Sequence, residues 1–91
     1  MLEDVKTALR ITNTAYDSEV QDLIESAQFD LSQSGVFLVD ETDPLIKRAI
    51  ITYAKANFGI DNPQADRFND SYVMLKQHLS LSGDYNGYSV E

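Results

Sequence analysis

Asp43-Pro44-Leu45-Ile46-Lys47-Arg48-Ala49-Ile50-Ile51-Thr52-Tyr53-Ala54-Lys55-Ala56-Asn57-Phe58-Gly59 is the stretch on which the fold turns. Asp43 has the short acceptor side chain that suits a helix N-cap. Pro44 follows at the first helical position, where a missing N–H and a fixed φ do no harm. Gly59 supplies a stop. Between these signals Leu45, Ile46, Ala49, Ile50, Ile51, Tyr53, Ala54 and Phe58 spread apolar surface over far more than half of the helix circumference. One buried face cannot use all of it. Either this helix is central to a bundle, or part of it meets another chain. Within one chain, Val36-Phe37-Leu38 could also fold back over the surplus.

Three further helices read outward from this one. Upstream, about residues 17–34, Val20, Leu23, Ile24, Ala27 and Leu31 follow the i, i+3, i+4, i+7, i+11 pattern, with Asp17 a plausible N-cap and Gly35 a plausible stop. Before it, about residues 2–10, Leu2, Val5 and Leu9 share a face. Glu3 and Asp4 lie at the positive end of that helix and Arg10 at the negative end. Downstream, about residues 63–81, Asn62-Pro63 repeats the Asp43-Pro44 device, and Ala65, Phe68, Tyr72, Leu75 and Leu79 form the stripe. Residues 35–42 form a short irregular link. Residues 84–91 carry no periodicity and read as a flexible tail. The predicted fold is all-α, a compact bundle of four amphipathic helices in one domain over residues 1–83.

Composition bounds what such a domain can do. Ninety-one residues suffice for one modest core. Seven Lys+Arg against fifteen Asp+Glu give a net charge of −8, which opposes unaided binding to nucleic acid or an anionic membrane. Cysteine is absent, and with it disulfides, thiolate catalysis and cysteine-ligated metal sites. Met1-Leu2-Glu3-Asp4 lacks the basic start of a signal peptide, and no apolar run approaches the ~18 residues that span a bilayer.

An enzyme is not expected, nor a cofactor or metal. His78 is the only histidine, and it lies in the last turns of the fourth helix, where a positive charge suits the dipole. No G-x-S-x-G elbow exists to pair with it. Asp40-Glu41-Thr42-Asp43 lacks the glycine and the closing glutamate of a calcium loop, with Ile51 in the latter's place. No glycine-rich phosphate loop occurs. Asn69-Asp70-Ser71 matches a glycosylation sequon that has no export signal to make use of it.

Several residues lie off the core stripes. Phe29 falls opposite the Val20–Leu31 stripe, and Met74 and Leu81 lie i, i+7 apart on a face away from Phe68 and Leu79. Arg48 and Lys55 lie i, i+7 on one side of the third helix, while Glu19, Asp22 and Glu25 lie outside the core of the second. Two complementary surfaces on one molecule are what a head-to-tail contact needs. They could equally be solvated faces of little consequence.

The order of these segments carries a resemblance. Leu2-Glu3-Asp4-Val5-Lys6-Thr7-Ala8-Leu9-Arg10 precedes Tyr16-Asp17-Ser18-Glu19-Val20 and Leu23-Ile24-Glu25-Ser26-Ala27. Then come Asp43-Pro44-Leu45-Ile46-Lys47-Arg48-Ala49-Ile50, Tyr53-Ala54-Lys55-Ala56-Asn57-Phe58-Gly59, and finally Tyr72, Leu75-Lys76 and Leu79-Ser80-Leu81-Ser82. From Leu2 to about Tyr85 the chain resembles the small head-tail connector proteins of tailed bacteriophages and prophages, also described as DNA-packaging or head-completion proteins. The resemblance implies a structural virion protein, made in the bacterial host cytoplasm and located in the virion neck. Its expected partners are copies of itself in a ring, the portal protein, and the next head-completion or tail protein. DNA would pass through the ring without specific binding, and no catalytic, cofactor or metal residue is implied.

On that reading Arg48 and Lys55 of one subunit face Asp22 and Glu25 of its neighbour, with Phe29, Met74 and Leu81 giving apolar contact. Tyr85, Tyr88 and Val90 become ordered on docking to the portal or the next ring. The alternative is a small acidic adaptor or inhibitor, conceivably a DNA mimic, that binds a host protein one-to-one.

Overall fold

The computed structural model describes residues 1–36, 39–59 and 61–82. Four helices follow one another: α1 (Leu2–Leu9), α2 (Asp17–Gln33), α3 (Pro44–Asn57) and α4 (Ala65–Leu81). No strand occurs among the described residues. The expected 84–91 tail, with Tyr85, Tyr88 and Val90, lies outside them, as do Phe37 and Leu38 of the link.

The helix most apolar in sequence is the central one. α3 packs against α1, α2 and α4, and this consumes most of its circumference. Ile46, Ala49, Ile50 and Ala54 are fully buried, and Ile51, Tyr53 and Phe58 pack against the core from its margin. Its start is as expected: the Asp43 carboxylate accepts hydrogen bonds from the backbone N–H of Leu45 at 2.8 Å and of Ile46 at 3.3 Å. α2 contributes Val20, Ile24, Ala27 and Leu31 to the same core, and α1 contributes Val5. Antiparallel pairing of α2 with α3 brings Tyr16 edge-on to Phe58, with ring centroids 5.6 Å apart. Antiparallel pairing of α3 with α4 likewise sets Tyr53 against Tyr72 at 5.1 Å.

The C-terminus of α2 explains how the link begins. Val36 N–H donates to the Leu31 carbonyl at 3.0 Å and Gly35 N–H to that of Ser32 at 3.1 Å, the paired bonds of a Schellman motif. Gly35 takes the left-handed φ of 95° that this motif requires. Val36 then turns inward onto Leu31, and both are fully buried. Part of the link thus does fold back onto the core.

Two predicted starts differ. Asp17 is the first helical residue and not the cap: Tyr16 holds the cap position without a side-chain bond. The Asp17 carboxylate turns to Lys6 on α1 instead, at 2.7 Å from its ammonium. Asn62-Pro63 does not open α4 at residue 63. The Asn62 side-chain oxygen accepts from Gln64 N–H at 3.0 Å, its carbonyl from Ala65 N–H at 3.1 Å, and its amide donates to the Lys55 carbonyl at 2.7 Å. These bonds make a tight turn that ties the link to the end of α3, so the helix begins two residues later. The other ends fall within a residue of expectation, as fraying termini do.

Candidate assembly surfaces

α4 decides where the surfaces form. It lies along α3 and meets α2 through one polar node, where Asp30 accepts from the Tyr72 hydroxyl at 2.6 Å and from the Lys76 ammonium at 3.0 Å. Partial burial pushes the Asp30 pKa upward, but the Tyr72 and Lys76 hydrogen bonds and the Lys76 charge outweigh it, and the carboxyl is held below its ordinary value. Burial, and then the neighbouring Asp30 carboxylate, push the Tyr72 hydroxyl well upward, so it remains a donor. With α4 anchored in this way, one groove opens between α3 and α4 and a second between α2 and α3.

The first groove lies between α3 and α4 and has a volume of about 550 Å³. Arg48 and Lys55 enter it from α3, and Phe68, Met74 and His78 from α4. The Lys55 ammonium sits 5.5 Å from the centre of the Phe68 ring, a cation–π distance that holds the charge over the groove floor. No carboxylate lines this groove among the described residues. Met74, at its rim, is 70% exposed.

The second groove, of about 650 Å³, runs between α2 and Tyr53 of α3. Asp22, Glu25, Phe29 and Asp30 line it, and no cation does among the described residues. At 100° per residue, Asp22, Glu25 and Phe29 fall within an arc of about 60° opposite the buried stripe of α2. Phe29 is 65% exposed there. On α3, Tyr53 stands about 140–160° around the axis from Arg48 and Lys55, so the two grooves open on opposite sides of the molecule.

The structure therefore brings Arg48, Lys55 and Met74 together on one surface and Asp22, Glu25 and Phe29 on another. Leu81 joins neither groove; it is 83% exposed, two helical turns along α4 from Met74. His78, read from sequence as a lone histidine either structural or solvent-exposed, is exposed and joins Arg48 and Lys55 at the first groove. Its i, i+4 spacing from Met74 is the signal that could have placed it there. The large exposed apolar side chains are the unusual feature, since paired with charge they mark interaction surfaces. Among the described residues no group of His, Asp and Glu is placed to hold a metal ion, and no helix is long and apolar enough to cross a membrane.

No curated protein and no solved structure matches the chain. A family model described as phage connector protein matches residues 1–86, nearly the whole length and the same span that carries the resemblance in sequence. Its role is accordingly structural, in assembly with other proteins of the phage particle at the neck, and the chain belongs to the phage connector protein family.

Proposed function

We propose that the protein is a head-to-tail connector that assembles as a ring under the portal after DNA packaging. There it extends the DNA channel and offers a docking surface to the next neck or tail protein. The observation that carries this reading is the pair of grooves, opposite in charge and on opposite sides of α3, each with a mostly exposed apolar side chain. A heterologous contact needs two different faces that complement each other, and repetition of one such contact closes a ring. Arg48 and Lys55 of one subunit meet Asp22 and Glu25 of the next. Met74 and Phe29 bring apolar area to the centre of that contact, and Leu81 extends it along α4. Tyr85, Tyr88 and Val90 of the 84–91 segment dock onto the portal or the following ring. A wall of subunits each carrying −8 lets DNA slide past without holding it. A one-to-one adaptor would leave the second groove without a use.

Charge reversal tests the assignment. Arg48→Glu/Lys55→Glu and Asp22→Lys/Glu25→Lys should each fail to assemble alone, by native mass spectrometry and by microscopy on purified portal. A one-to-one mixture should assemble again, because every junction then pairs opposite charges. Rings formed by either variant alone as readily as by the unaltered protein would remove the assignment.

A further inference from the structure

Each groove is asymmetric along its helices, and the two asymmetries match. We propose that the contact between copies has a single direction: α2 of the next subunit lies along the α3–α4 seam in the same sense as α3, with Asp22 at His78, Glu25 at Arg48 and Phe29 between Met74 and Phe68. The inference rests on the head-to-tail reading above and adds to it a register, a polarity and a part for His78.

The basic groove has two unlike ends. Lys55 stands level with Phe68, its ammonium 5.5 Å from the ring centre. α3 and α4 run antiparallel, so at 1.5 Å per residue Arg48 lies about 10.5 Å from that point along α3, with Met74 about 9 Å and His78 about 15 Å from it along α4. Arg48 and His78 thus share one end, Phe68 and Lys55 the other, and Ile51 and Met74 lie between. On α2, Asp22 precedes Glu25 by about 4.5 Å and Phe29 follows it by about 6 Å. These i, i+3, i+7 positions are the anchors of a helix laid in a groove, and all three side chains are exposed.

One alignment satisfies every position. With Glu25 level with Arg48, Asp22 falls level with His78, and Phe29 falls about 4.5 Å along the axis from both Met74 and Phe68. The Glu25 carboxylate accepts from the guanidinium, the Asp22 carboxylate from an imidazole N–H, and the phenyl ring enters the apolar middle. Lys55 is then within about 3 Å, along the axis, of Asp30. Lys76 and Tyr72 of its own chain already hold that carboxylate, so its pull on Lys55 is the weakest of the three. The reverse direction fails by the same arithmetic. With Phe29 kept in the apolar middle, Glu25 moves to the Lys55 end, Asp22 passes beyond Phe68, and Arg48 and His78 face neither of them. A single direction is also what lets a repeated contact close.

The chain has no cysteine, so introduced pairs report the direction. Asp22→Cys/His78→Cys, treated with a short bismaleimide on purified portal and at high concentration without it, should give a ladder of linked subunits on denaturing gels. Asp22→Cys/Lys55→Cys should give several-fold less, because its sites lie about 15 Å apart along the contact. Equal products, or more from the Lys55 pair, would overturn the direction and leave the head-to-tail contact standing. Linked subunits from neither pair would remove the contact itself. Charge exchange tests the register. Glu25→Lys should raise the concentration for half-maximal assembly about tenfold. Arg48→Glu in the same chain should restore it, and Lys55→Glu should not, since about 10.5 Å separates that pair, beyond a Debye length at physiological salt. Equal rescue by Lys55→Glu would overturn the register. His78→Glu should likewise weaken assembly and be rescued by Asp22→Lys; without that rescue, His78 has no part in the contact.

Discussion

α2 and α4 have equal length and equally regular apolar stripes, yet they are buried to very different depths. On α2, Val20, Ile24, Ala27 and Leu31 are all but inaccessible. On α4, Tyr72 and Leu79 are buried while Ala65, Phe68 and Leu75 are only partly buried. The cause is the number of neighbours. α2 is seated against both α1 and α3 and is closed at its end by Val36, whereas α4 leans along α3 and touches α2 at the Asp30 node. Periodicity names the face a helix turns inward; depth depends on what stands there to receive it. The half-open seam of α4 is also where the basic groove lies, so the incomplete packing and the proposed assembly surface are one feature.

The largest test of this contrast is a pair of truncations. Ile50→Ala, in the fully enclosed centre of α3, should cost about 3 kcal/mol, a large share of the stability of a small domain. Leu75→Ala, at the rim of the groove, should cost only about 1 kcal/mol in the monomer, because its space already opens to water and no cavity is left. Denaturation midpoints of the two variants give the comparison. Equal losses would mean that the α3–α4 seam is closed in solution by something that covers the groove.

A smaller effect is expected at the node that attaches α4 to α2. Tyr72→Phe removes the hydroxyl donor from Asp30 and should cost about 1 kcal/mol. That is below the usual value for a bond to a charged group, because Asp30 is more than a third exposed. Its pH dependence has a defined sign. The Asp30 pKa is lowered in the folded state from an ordinary value of 3.8, so its contribution is present above about pH 4 and is lost as pH falls through the lower, folded value. Thermal midpoints of wild type and Tyr72→Phe should therefore differ by a constant amount near neutrality and converge below about pH 4. A gap that persists undiminished in acid would assign the loss to packing against Tyr53 and not to the carboxylate.

Much of this arrangement was legible in the sequence, for physical reasons that also mark where legibility ends. Asp43-Pro44 announces a helix because cap and ring chemistry are local, and the excess of apolar residues after it places that helix at the centre. Arg48 with Lys55, and Asp22 with Glu25, fall on common faces by helical arithmetic alone. Pairings between helices were not legible. Lys6 lies only about 40° around α1 from Leu2, beside the stripe, and is buried because Asp17 of the next helix waits for it at 2.7 Å. Asp17 read as a cap for want of that partner. Asn62-Pro63 read as a helix start because its cap-like chemistry is shared by turns, and only the bond to the Lys55 carbonyl decides between them. His78 looked solitary because the cations beside it belong to another helix.

The smallest predicted effect compares two ends built on the same device. α1 closes like α2: Ile11 N–H reaches the Lys6 carbonyl at 2.9 Å and Arg10 N–H that of Thr7 at 3.1 Å. Here, however, the left-handed position, with φ of 61°, is held by Arg10, where α2 has Gly35. An L-residue pays about 1–2 kcal/mol in that conformation, and the greater unfolded freedom of glycine returns part of it. Arg10→Gly should therefore raise stability by about 0.5–1 kcal/mol, which is several degrees in thermal midpoint for a domain of this size. Gly35→Ala should lower stability by a similar amount, although an added Cβ would meet nothing within 4 Å. That open space isolates the cause: any loss comes from the backbone angle and not from crowding. If Arg10→Gly proved neutral while Gly35→Ala destabilised, the α1 end would be fraying in solution, and its Schellman bonds would contribute little to holding α1 on the core.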